Sequence, residues 1–225
     1  MKFLPCLELD SGGKSVLYVL GVLSMAILLQ GCGGVPVSPT DLQTTTPSSG
    51  CQGPTVRPNY AVTTVRWERF PIRVYIEEVE LLRRGFSSSR TATVSSLILR
   101  GLGSWATSTS GRVGSIVETD DYTNSDLNVV FRNNTGNTIH DTVQQPFIRH
   151  ATVMFDPHWP EAFSDADHRW VNMAAHEMGH VLGIVAHPTG ITGSLMVNEA
   201  EQLRYTAPQA VDVNSILVKY GFGCS

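Results

Sequence analysis

A chain of 225 residues with 42% hydrophobic side chains can bury a core of ordinary size, as one or two domains. The formal charge is −4, and the 16 lysines and arginines are scattered rather than massed. Nothing in that balance points to a nucleic-acid partner.

Residues 1–31 read as an export signal, outside the fold. Lys2 and Lys14 precede Ser15–Leu29, a run of 15 uncharged residues. That length suits a signal peptide and is short for a bilayer-crossing helix. The run ends Leu29-Gln30-Gly31-Cys32, which resembles the lipobox of bacterial lipoproteins. The resemblance implies cleavage before Cys32 and lipid on its sulfur. The chain would then sit in the bacterial cell envelope and meet the membrane only through its acyl anchor. Gly33, in place of an Asp after the cysteine, implies the outer membrane by the same likeness. An uncleaved N-terminal anchor is the alternative, and it too puts the mature domain outside the cytoplasm.

Cys32 opens a segment, 32–59, that is rich in Gly, Pro, Ser and Thr and too poor in apolar residues to pack. It reads as a flexible linker. With Cys6 in the signal and Cys32 lipidated, Cys51 and Cys224 remain. In an oxidising compartment these two are expected to pair.

A single domain is expected over 60–225. Pro71–Glu78 alternates, with Ile72, Val74 and Ile76 on one face, and predicts a strand. Ser87, Ser88 and Ser89 offer caps for a helix bearing Val94, Leu97, Ile98, Leu102 and Trp105 at helical spacing. Gly101 and Gly103 are expected to weaken its later turns. Ser115–Glu118, Asp126–Phe131 and Arg149–Phe155 read as strands, with a further short one near Thr138–Val143. A helix from about His168 to Leu182 follows. A last helix starts near Pro208, carries Val213, Ile216, Leu217 and Tyr220 as its stripe, and stops at Gly221.

The chemistry lies in His176-Glu177-Met178-Gly179-His180. Histidines four apart on a helix share one face and can aim at one metal ion, with the glutamate beside them to handle a proton. Gly183 can turn the chain beneath the metal, and His187-Pro188 follows. Ser194-Leu195-Met196 lies beyond. Together these residues resemble the metzincins, and among them the matrixin-like bacterial zinc peptidases. Their signature is H-E-x-x-H-x-x-G-x-x-H followed by a Met-turn. One departure stands out. Ala186 occupies the place of the family's third histidine, and His187 comes one residue later.

The likeness extends loosely to Trp67–Ile76 and Val211–Gly221. It implies an α+β, metzincin-like zincin domain. Its twisted, mostly parallel sheet would have about five strands, with an active-site helix, a Met-turn and a C-terminal helix. It implies one catalytic Zn2+ held by His176, His180 and His187, with Glu177 as general base and Met196 as an apolar floor. A monomeric endopeptidase would bind peptide or protein in extended form along a sheet edge. Thr138–Val143 and Arg149–Phe155 are the two candidates for that edge.

Two rivals remain open. Glu199 or Glu201, 23 and 25 residues beyond His176, could supply the third ligand in a gluzincin-type hydrolase. A zincin-fold lipoprotein that binds a partner without cutting it is the other, against which Glu177 speaks. His140, His150, His158 and His168, even with Asp141 and Asp156, form no recognisable second metal pattern. They are expected to be surface or hydrogen-bonded histidines.

Overall fold

The computed structural model describes residues 61–133, 136–185, 187–188, 191–197 and 204–222. The signal and linker, Cys32, Cys51, Cys224, Ala186, Glu199 and Glu201 lie outside the described residues. No helix among those described is long and apolar enough to cross a membrane.

The fold is α+β, with a mostly parallel sheet. Strand β1 (Arg66–Trp67) precedes β2 (Ile72–Ile76), and helices α1 (Glu78–Arg83) and α2 (Ser88–Ser108) follow. Next come β3 (Ile116–Glu118), β4 (Leu127–Phe131), β5 (Gly136–Gln144) and β6 (Phe147–Phe155). Helices α3 (His158–Glu161), α4 (Ala166–Val181) and α5 (Ala210–Lys219) complete the chain. Ile72, Val74 and Ile76 are buried on one side of β2, as the alternation predicts. Ser87 caps α2 by accepting from the Arg90 amide, and all five residues of the expected stripe are buried.

Six strands form the sheet, one more than expected. The order β3-β2-β4-β6 is parallel throughout. β5 runs antiparallel along the whole of β6, from Gly136 opposite Phe155 to Gln144 opposite Phe147. β1 pairs Phe147 and Ile148, while β4 pairs residues 151–155. A strand has only two sides, so β1 and β4 share the side of β6 away from β5. β6 is therefore interior and β5 borders the sheet.

Helix α2 crosses α4 closely. A Cβ added at Gly101 would lie 2.4 Å from the Val171 carbonyl oxygen and 2.7 Å from the Ala174 Cβ. Gly101 is therefore a contact surface, and the helix runs unbroken through it. Trp105, fully buried, donates from Nε1 to the Ala175 carbonyl at 2.7 Å. Trp170 packs edge-on against Phe131 and Phe155, fixing the start of α4 over the sheet.

The two glycines of α2 should respond oppositely to alanine. Gly101→Ala should destabilise by about 1–3 kcal/mol through overpacking. Gly103→Ala meets its nearest atom at 3.8 Å, and should stabilise by roughly 0.5–1 kcal/mol through helix propensity. Urea midpoints read both. Equal and stabilising shifts would contradict the close crossing.

Candidate metal centre

Helix α4 ends where the metal residues lie. Gly183 adopts φ +102°, where a Cβ is strained. Its amide donates to the His180 carbonyl and that of Ile184 to the Gly179 carbonyl, at 2.8 and 3.0 Å. This is the Schellman closure of a helix. Side chains from three other elements take up further carbonyls of the last turn. Trp67 Nε1 donates to Val181 at 2.9 Å, His140 Nε2 to His180 at 3.1 Å, and the Tyr220 hydroxyl to Leu182 at 3.3 Å.

His176 and His180 project from one face of this turn. Nδ1 of His176 donates to the Leu195 carbonyl at 2.9 Å, and Nδ1 of His180 to the Ile184 carbonyl at 2.6 Å. A carbonyl only accepts, so Nδ1 carries the proton and each Nε2 presents a lone pair. Those two Nε2 atoms are 3.2 Å apart. His187 Nε2 stands 3.0 Å from the first and 3.1 Å from the second. Bare lone pairs at such range repel, and a shared cation converts the repulsion into ligation. The three nitrogens lie close enough to hold one metal ion. Imidazole ligands at about 2.0–2.1 Å from zinc need such convergence. Burial, with smaller contributions from the neighbouring histidines, pushes His176 down to about 3. Burial lowers His180 as well. Both rings are thus neutral at physiological pH, as metal ligands must be.

Burial falls from His176, 4% exposed, through His180 to His187, which is exposed. The centre therefore opens on the His187 side. Among the described residues the cluster consists of these three histidines. Structural zinc sites are closed by four protein ligands, whereas catalytic ones keep a position free.

Glu177 is 9% exposed and accepts from the Thr138 hydroxyl at 2.6 Å through Oε2. Burial raises its carboxyl to about 7, with the Thr138 hydrogen bond opposing the rise. Met196 packs under α4. A Cβ at Gly179 would come within 2.4 Å of its Sδ and 2.9 Å of the Trp105 ring, so a side chain one residue before His180 would displace the Met196 thioether.

Two supports hold the carbonyls that orient the histidines. The first is Asp212, fully buried in the opening turn of α5. Its Oδ1 accepts from the Ser194 hydroxyl at 2.7 Å, and its Oδ2 from the amides of Leu195 at 2.9 Å and Gln209 at 2.8 Å. The Ser194–Met196 turn, and with it the Leu195 carbonyl, is thereby fixed. The second is a strap at residues 61–63. The Thr63 amide donates to the Gly183 carbonyl at 2.9 Å, the Val185 amide to the Ala61 carbonyl at 3.0 Å, and Val62 bridges Ile184. Lys219 Nζ clamps the strap from α5 through the Thr63 carbonyl at 2.6 Å and hydroxyl at 3.0 Å. Ile184 and Val185 thus run alongside the strap.

His176, His180 and His187 are brought together, with Glu177 beside them and Met196 below. Sequence reading missed Thr138, Asp212, Thr63 and Lys219. Asp212 had one visible signal, an acidic side chain in a first helical turn. The others had none, because their partners are distant in sequence. Of the remaining histidines, His140 caps α4, His150 lies between Asp141 and Asn128, and His158 and His168 are exposed.

A scan against protein-family models finds no match to the chain, and a search of curated proteins finds none.

The Asp212 support is testable. Asp212→Asn replaces one accepting oxygen with a donor and should loosen the Leu195 carbonyl that orients His176. Metal affinity should fall about 10–100-fold, the usual cost of losing an outer-shell partner. Asp165→Asn, at the exposed far end of α4, should leave it unchanged. Chelator competition measures both. Equal affinities would remove Asp212 from the metal's support.

Proposed function

We propose that this chain is a zinc-dependent endopeptidase of metzincin type, tethered to the bacterial envelope by lipid on Cys32. The observation that carries the proposal is the convergence of three imidazole nitrogens beside a buried carboxyl group, below an edge strand. Three nitrogen ligands with an open side suit Zn2+ in a hydrolytic role. A zinc ion bound there supplies polarisation of the scissile carbonyl and lowers the pKa of a water from 15.7 toward about 7.

The chain's own residues do the rest. Glu177 accepts the proton of the attacking water and delivers it to the leaving amine. Burial raises its carboxyl to about 7 in the metal-free site, and a bound cation would draw it back down toward the ionised form that accepts a proton. Water is the nucleophile, so no serine or cysteine is needed. β5 borders the sheet and sends Thr138 and His140 toward α4. An extended peptide can add to its outer edge as another strand, presenting one peptide bond to the site. Specificity then depends on side-chain pockets flanking the metal.

Glu177→Gln should keep zinc bound, since all three histidines remain, and should lower hydrolysis by about 10²–10⁴-fold. Zinc content and cleavage of a peptide library, each with and without chelator, measure this. Wild-type turnover in the variant would exclude Glu177 as the base. A zinc-loaded wild-type chain that cleaves nothing would favour the non-catalytic binding protein.

A further inference from the structure

The inner face of β5 turns toward the helix that carries the metal residues. Thr138 lies opposite Val153 of β6, half-buried, with its hydroxyl turned to α4. That hydroxyl donates to Glu177 Oε2 at 2.6 Å. We propose, resting on the peptidase reading above, that Thr138 is the positioning residue for the general base.

A carboxylate has two oxygens and turns about its last torsion with little resistance. With Oε2 held by Thr138, that torsion is fixed and Oε1 is left to face the water. The hydrogen bond also satisfies an oxygen of a side chain only 9% exposed, which would otherwise lack the solvation an ionised carboxylate needs. The strand does not need this hydroxyl to stay docked. His140, two residues on, ties β5 to α4 independently through the carbonyls of His180 at 3.1 Å and Val181 at 3.3 Å. Valine has nearly the shape of threonine and suits a strand as well. Both contacts of the hydroxyl are on Glu177, the close one to Oε2 at 2.6 Å and a longer one to the backbone carbonyl at 3.3 Å.

The arrangement has a consequence for register. A peptide added to β5 takes its position along the strand from β5's backbone. The base takes its position from a side chain on the same strand. The scissile bond and the proton acceptor are therefore measured from one element, and a shift of β5 carries both together.

The test compares Thr138→Val and Thr138→Ser in the zinc-loaded full chain. Thr138→Val should lower kcat about tenfold, the scale of a lost hydrogen bond to a charged group, with KM and zinc content unchanged. Thr138→Ser should restore most of kcat. The affinity for acetohydroxamate, whose acidic proton the same carboxylate would take, should fall with Thr138→Val and recover with Thr138→Ser. This second readout needs no peptide substrate. If the wild-type chain cuts nothing, the peptidase reading fails and the hydroxamate series still decides the role of Thr138. Wild-type kcat and wild-type hydroxamate affinity in Thr138→Val would overturn the proposal. So would a loss that serine does not rescue or that tracks with lost zinc.

Discussion

Three imidazole nitrogens held 3.0–3.2 Å from one another are the constraint around which this domain is arranged. Their lone pairs oppose that closeness, so the protein must hold the rings in place from behind. It does so with carbonyls: Leu195 for His176 and Ile184 for His180. Each carbonyl sits in a segment without regular structure and needs its own anchor. Asp212 anchors the first from the start of α5. The strap at 61–63 anchors the second, clamped by Lys219 from the end of α5. One ten-residue helix thus holds both outer supports of the centre.

The same layout couples metal binding to stability. An ion that ligates all three nitrogens links α4 to the loop bearing His187, and through it to the strap. Binding to the folded state alone adds about 4 kcal/mol at a free concentration a thousand times the dissociation constant. The exposed His187 side is where the centre meets solvent. Near the metal residues, Gly179 leaves room for the sulfur of Met196 and Gly183 makes the turn.

Much of this was legible in the sequence because it is local. Ile72, Val74 and Ile76 alternate, and Val94, Leu97, Ile98, Leu102 and Trp105 repeat at helical spacing, so their elements could be read directly. His176 and His180 announce themselves by being one turn apart. Other features depend on partners far along the chain. Gly101 looked like a weak point of α2 and is instead the crossing point with α4, set by Val171 and Ala174. α1 was hidden because the alternation of β2 runs into it without a break signal at Glu77. Strand β5 looked short because its end residues, Gly136, Asn137 and Gln144, are small or polar and carry no strand signal. Its pairing with β6 was invisible to a pattern read one segment at a time. Thr138 and Glu177 are 39 residues apart, and no spacing rule connects them.

The central claim is that three histidines of this chain share one metal ion. X-ray absorption at the zinc edge of the loaded full-length protein addresses it most directly. Three imidazole nitrogens near 2.0–2.1 Å and one further light atom are expected, with one imidazole lost in His187→Ala. A shell of two imidazoles and a carboxylate oxygen, unchanged in His187→Ala and altered in Glu199→Ala or Glu201→Ala, would contradict it.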